Sequence, residues 1–144
     1  MPKNNSRRYE DYLEAILVLF QRKGYARTKD ISRELNVAPP TVTEMLKKLD
    51  SEDLVTYERY GGITLTDAGS KLARIVKKRH ETIKRFLELI LVQEDTADRD
   101  ACLLEHDLSP ESLEQLNYFI TFLHDQHDYE GWQKNFKGYC RKKQ

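Results

Sequence analysis

The stretch from Thr28 to Thr66 constrains what this 144-residue chain can fold into more than any other. Thr28 is placed to cap a short helix, Lys29 to Leu35, with Ile31 and Leu35 facing inward. Asn36-Val37-Ala38 makes a turn, and Pro39 and Pro40 suit the start of a second helix, where a missing N–H costs nothing. That helix is expected to reach about Ser51, with Val42, Met45, Leu46 and Leu49 as its buried stripe. Leu54 to Thr66 alternates around Gly61-Gly62 and reads as a β-hairpin. Two helices joined by a tight turn and followed by a hairpin make a winged helix-turn-helix. The competing arrangement is a non-binding three-helix bundle with a hairpin. Thr41, Thr43, Glu44, Lys47 and Lys48 lie opposite the apolar stripe, and this polar, basic face favours the winged form and nucleic acid.

The flanking segments are helical in pattern. Asn4 to Arg8 look like a flexible basic arm, and Tyr9 to Lys23 places Tyr12, Ile16, Leu19 and Phe20 at helical spacing until Gly24. Thr66-Asp67-Ala68-Gly69 caps a long helix reaching about Leu91, anchored by Leu72, Ile75, Val76, Ile83, Phe86 and Leu87. Asp95 to Asp107 form a further helix, and Ser109-Pro110 opens another that runs to about His124. Trp132, Phe136 and Tyr139 are expected to pack one helical face onto the body, with the last four residues frayed. The expected fold is mainly α. A winged helix-turn-helix with a small hairpin wing fills residues 1–70, and an all-helical domain fills 71–144, the long helix 67–91 linking the two.

A formal net charge of zero conceals an asymmetry. Residues 1–85 carry 18 Lys and Arg against 12 Asp and Glu, whereas residues 86–144 carry 6 against 12. The basic front half is the footprint of a surface that meets phosphates. No apolar run approaches the ~18 residues needed to span a bilayer, and the first residues lack the apolar stretch of a secretory signal. Two cysteines, Cys102 and Cys140, make no disulfide framework. A cytoplasmic protein without membrane attachment is expected.

Cys102-Leu103-Leu104-Glu105-His106 packs a thiol, a carboxylate and an imidazole into five residues. On a helix, offsets of three and four bring these groups to one face. Sulfur, oxygen and nitrogen together suit a first-row transition metal better than calcium or magnesium. A half-buried cysteine beside two surface polar residues is the bland alternative. Asp11 and Glu14 project from one side of the first helix, where ordinary salt bridges to Arg7 or Arg8 compete with metal binding. His80 stands between basic residues and Glu81, a setting in which a lone histidine is more often a surface residue than a ligand.

Several motifs in order then tie the chain to a known family. They are Glu10-Asp11-Tyr12-Leu13-Glu14-Ala15-Ile16, Gly24-Tyr25-Ala26-Arg27, Val37-Ala38-Pro39-Pro40-Thr41-Val42-Thr43, Leu65-Thr66-Asp67-Ala68-Gly69, Arg79-His80-Glu81 and Cys102 through Ser109. From Tyr9 to about Leu123 the chain resembles the metal-dependent repressors of the DtxR/MntR family, which regulate metal uptake. Its length resembles the manganese branch, which lacks the third, SH3-like domain of the iron branch.

The resemblance implies metal ligands at Asp11, Glu14, His80, Glu105 and His106. Cys102 departs from the manganese branch, which has a carboxylate there, and matches the iron branch, which carries Met in place of Asp11 and a non-ligand in place of Glu14. Sulfur shifts preference toward Fe²⁺, with Mn²⁺ close behind and Co²⁺ or Zn²⁺ able to substitute. The resemblance also implies that the helix from Pro39 enters the major groove. Thr41, Thr43 and Glu44 then face base edges, while Lys47, Lys48, Arg59, Tyr60, Arg7 and Arg8 meet phosphates.

The expected function is a metal-dependent repressor that binds a double-stranded operator as a homodimer, with no small-molecule substrate and no enzymatic activity. Tyr118, Phe119 and Phe122 are the candidates for the dimer seam, or for intramolecular core. An ion held by all three segments would relieve the repulsion among Asp11, Glu14 and Glu105. It would set the recognition helices for successive major grooves ~34 Å apart, by reorienting or by rigidifying the dimer. Two rivals remain at this point: a winged-helix repressor answering to a non-metal effector, and a small metalloenzyme.

Overall fold

The computed structural model of the chain describes residues 3–59, 62–126 and 128–144, with side chains from Ser6 onward. Helix α1, Lys3–Lys23, buries Tyr9, Tyr12, Leu13, Ile16, Leu17 and Leu19. It ends where Gly24 turns to φ +80° and donates its N–H to the Phe20 carbonyl at 2.9 Å. The expected flexible arm at Asn4 to Arg8 is instead the first part of α1. Nothing in that stretch breaks a helix, and the nucleation cost is met by the apolar stripe that follows.

Helix α2 is Thr28–Leu35 and α3 is Pro39–Ser51. Thr28 was expected outside the helix as its cap, but it is the first helical residue and Arg27 takes the extended cap position. A bridge between Ala26 and Ile63 holds the chain extended up to that point, so the switch to helix falls at Arg27. Asp30, buried in the first turn of α2, accepts from Lys23 at 3.0 Å and ties α2 to the end of α1. The Lys23 ammonium, ahead of opposing burial, holds the Asp30 carboxyl below its usual range. Asn36 closes α2 in the left-handed region, φ 53°. Helix α3 buries Val42, Met45, Leu46 and Leu49, the expected stripe.

Strands β1, Val55–Glu58, and β2, Gly62–Leu65, pair antiparallel with Val55 opposite Leu65 and Tyr57 opposite Ile63. Asp50 of α3 accepts the Tyr57 N–H at 3.1 Å, which fixes the hairpin to the end of that helix. The turn residues Tyr60 and Gly61 lie outside the described residues.

Helix α4 is Asp67–Leu89, and Thr66 caps it by accepting the Gly69 N–H at 3.1 Å. Gly69 is required there because a Cβ would run into the Leu54 carbonyl oxygen. The chain divides into two compact units, residues 1–77 and 78–144, with the break inside α4. The first unit is organised on Leu13, Ile16, Leu19, Ile31, Val42, Leu46, Leu49, Val55 and Ile63, joined by Ala73. Ile75, expected as an anchor, is exposed. Leu72, Ala73 and Val76 already take the buried face, and position 75 lies about 100° away from position 76.

In the second unit α5 is Glu94–Leu104, α6 is Pro110–Asp125 and α7 is Tyr129–Lys143. Ile83, Ala101 and Leu113 form its core with Leu87 and Leu108 against them. Ser109 caps α6 by accepting the Ser112 N–H at 3.1 Å, as its spacing implied. Helix α5 stops at Leu104, three residues before the expected end. The chain must leave the helix ahead of Pro110, and Asp107 and Leu108 both turn their N–H groups back to the Leu104 carbonyl.

Helix α7 corrects two expectations. No described residue of α7 is buried: Trp132 and Phe136 are half-buried and Tyr139 is 60% exposed, so the expected face is not sunk into the body. Trp132 and Phe136 stack on each other instead, centroids 5.7 Å apart. The tail is helical through Lys143, whose ammonium lies over the Tyr139 ring at 5.6 Å. No described helix is long and apolar enough to cross a membrane.

Candidate metal centre

Within the second unit the chemistry converges on Glu105. This residue sits at the C-terminal cap of α5 with φ −59° and ψ −24°, and it is 1% exposed. Its Oε2 faces His80 Nδ1 at 2.8 Å and its Oε1 faces His106 Nε2 at 3.3 Å. A buried carboxylate is costly unless it is paired, and two imidazoles do the pairing here. Cys102, one turn earlier, is exposed and places Sγ 3.6 Å from the same His80 Nδ1. Thiol, imidazole and carboxylate therefore meet in a run of contacts, Cys102 to His80 to Glu105 to His106, and these are donor types that suit a divalent transition metal.

His80 projects from α4 and also meets a residue that sequence reasoning passed over. Its Nε2 faces Asp98 Oδ1 at 2.9 Å. Asp98 lies one turn before Cys102 on α5, and that offset of four was the available signal. The Cys102 sulfur first, then the Glu105 carboxylate, hold the His80 imidazolium up to about 11 against the opposing effect of burial, and Asp98 adds to the shift. Asp98 is held below the usual carboxylate range, chiefly by His80.

Asp11 and Glu14 lie three residues apart on α1 in the first unit, both half-buried at the edge of the Tyr12, Ile16, Leu19 stripe. Also in that unit, α3 exposes Pro39, Pro40, Thr41, Glu44, Lys47 and Lys48. Thr43 is half-buried and donates its hydroxyl to the Pro39 carbonyl at 3.2 Å, while Lys48 pairs with Glu44 at 3.4 Å. Arg59 is exposed at the end of the hairpin, Arg7 and Arg8 lie on α1, and Tyr60 is outside the described residues. In the second unit Tyr118, Phe119 and Phe122 point outward from α6, Phe122 with 58% of its surface exposed. They are not intramolecular core. Phe119 touches Phe86 edge-on, centroids 6.4 Å apart.

Residues 5–63 match the family domain described as "Iron dependent repressor, N-terminal DNA binding domain", and residues 66–131 match "Iron dependent repressor, metal binding and dimerisation domain". The chain belongs to the iron-dependent repressor family. This is the metal-dependent repressor family to which the motifs pointed, and membership makes the protein a metal-sensing, DNA-binding transcriptional repressor. Among its relatives, the "HTH-type transcriptional regulator MntR" of Geobacillus kaustophilus is 39% identical over 116 residues, 81% of this chain and 82% of that protein. The Bacillus subtilis protein of the same description is 38% identical over the same shares. The solved "Structure of the manganese regulator SloR" superposes with a TM-score of 0.70 at 35% identity, covering 79% of this chain. The chain spans about half the length of that regulator, 54%.

Proposed function

We propose that this repressor binds its operator as a homodimer when a divalent ion, Fe²⁺ first and Mn²⁺ next, is held by Asp11, Glu14, His80, Cys102, Glu105 and His106. The observation that carries the reading is the buried Glu105 carboxylate between His80 and His106 with the Cys102 sulfur alongside. Four donors from one unit leave a transition ion short of an octahedral set, and Asp11 and Glu14 are the two carboxylates that the family resemblance adds. When bound, the ion supplies positive charge that compensates carboxylates which otherwise repel one another.

The remaining work belongs to the chain's own side chains. Asp11 and Glu14 stand on the helix that packs against the helix-turn-helix, while His80, Cys102, Glu105 and His106 belong to the other unit. Ligands drawn from both units couple metal affinity to DNA affinity, because whatever favours one arrangement favours both events. On α3, Thr41, Thr43 and Glu44 face base edges, Thr43 after releasing its bond to Pro39. Lys47, Lys48 and Arg59, with Tyr60, Arg7 and Arg8, neutralise phosphates. The Tyr118, Phe119 and Phe122 face of α6 meets a second copy. The domain division proposed is 1–70 for DNA and 71–144 for metal and dimer, in a cytoplasmic protein that catalyses no reaction.

A gel-shift titration with Mn²⁺, Fe²⁺, Co²⁺ and Zn²⁺, each with and without chelator, tests the reading. Binding that appears with metal and disappears with chelator is the expected result. Operator binding indifferent to both overturns it.

A further inference from the structure

The two nitrogens of His80 are furnished differently, and the difference decides which of them is open to an ion. Nδ1 faces the Glu105 carboxylate at 2.8 Å and the Cys102 sulfur at 3.6 Å. Nε2 faces Asp98 Oδ1 at 2.9 Å. The ring lone pairs diverge, so a single ion takes one nitrogen only. On the Nε2 side a cation is already installed. Lys84, one turn beyond His80 on α4, sets its ammonium 3.6 Å from that same Asp98 oxygen and 3.5 Å from Glu94. Glu94 and Asp98 are one turn apart on α5, so both carboxylates of that edge are engaged by the ammonium. Any ion approaching Nε2 meets a fixed like charge and carboxylates that are already shared.

We propose that Asp98 is the positioning residue of the metal centre: it accepts the Nε2–H of His80 and so holds the lone pair of the neutral ring on Nδ1, among Glu105 and Cys102, while Lys84 pairs with Asp98 and disfavours an ion on Nε2 in place of Nδ1. A carboxylate on the distal nitrogen of a ligating histidine fixes its tautomer and orientation, and its loss typically lowers metal affinity about 10–100-fold. The inference rests on His80 being a ligand, as proposed above. It goes beyond that reading by naming the ligating nitrogen and the pair that selects it.

Full-length protein labelled with ¹⁵N-histidine and loaded with ¹¹³Cd²⁺ supplies the test, and it needs no substitution. The expected spectrum shows cadmium coupled to His80 Nδ1 with a proton retained on Nε2. Coupling to Nε2 overturns this inference and leaves the metal reading intact. Absence of cadmium on His80 overturns both. Asp98→Ala should lose about 10–100-fold in Cd²⁺ affinity and lose the tautomer preference. Asp98→Asn, whose amide oxygen still accepts the Nε2–H, should keep the tautomer and lose less. Unchanged affinity and tautomer in Asp98→Ala overturns the positioning role. Lys84→Glu should let Cd²⁺ couple to His80 Nε2 in part of the molecules. Coupling that stays wholly on Nδ1 in Lys84→Glu overturns the exclusion by Lys84.

Discussion

Replacing Glu105 by glutamine separates the cost of burying a charge from the benefit of holding an ion. Without metal, two effects oppose each other. The substitution weakens the contacts to His80 at 2.8 Å and His106 at 3.3 Å. A charge-assisted hydrogen bond contributes about 1.5–3 kcal/mol and the longer contact less, which puts the loss at roughly 2–4 kcal/mol. Glu105 is 1% exposed, and the neutral amide escapes the several kcal/mol that desolvating a carboxylate costs. The metal-free variant is therefore expected within about 2 kcal/mol of the wild type. With metal there is no such offset. A removed ligand should cost more than the ~100-fold that bounds a supporting partner. At a metal concentration one hundred times the wild-type Kd, binding stabilises the wild type by about 2.7 kcal/mol. A variant weakened 100-fold gains about 0.4 kcal/mol. Urea melts followed by circular dichroism, with and without Mn²⁺ under matched conditions, measure both numbers. A Glu105→Gln protein that gains as much from Mn²⁺ as the wild type refutes the placement of Glu105 at the centre.

Three further outcomes are expected. The His80 imidazolium is held up to about 11 from an ordinary 6.5, so its contribution to the metal-free fold is full below 6.5 and is lost as pH rises through about 11. Metal binding runs the other way, since the Nδ1 proton must leave, and its apparent affinity should rise about tenfold per pH unit near neutrality. Urea melts and calorimetric titrations across pH check both signs, and flat profiles contradict the His80 assignment. Neutralising Lys47 or Arg59 should weaken binding to every DNA sequence and reduce the salt slope by about 1. A slope that stays put removes that residue from the phosphate contacts. Cys102→Glu should move selectivity toward Mn²⁺ relative to Fe²⁺ in competition titrations, and unchanged selectivity removes Cys102 from the ligands.

What the sequence determined by itself was local. The Pro39-Pro40 start and apolar stripe of α3, the alternation of the hairpin, the Thr66 and Ser109 caps and the ordered motifs are all written within a few residues of where they act. Propensity, periodicity and capping need no distant partner. The Cys102 to His106 cluster was legible for the same reason. Tertiary structure alone decided the burial of Glu105 and the placing of Asp98 and Lys84 on the far side of His80, because these depend on how α4 and α5 meet. It also decided that α5 stops at Leu104 and that Trp132 and Phe136 of α7 stack on each other, half-buried. Sequence spacing says which side chains share a face of one helix. Which faces meet is settled by packing across the whole unit, where burial and the pairing of buried charge are weighed together.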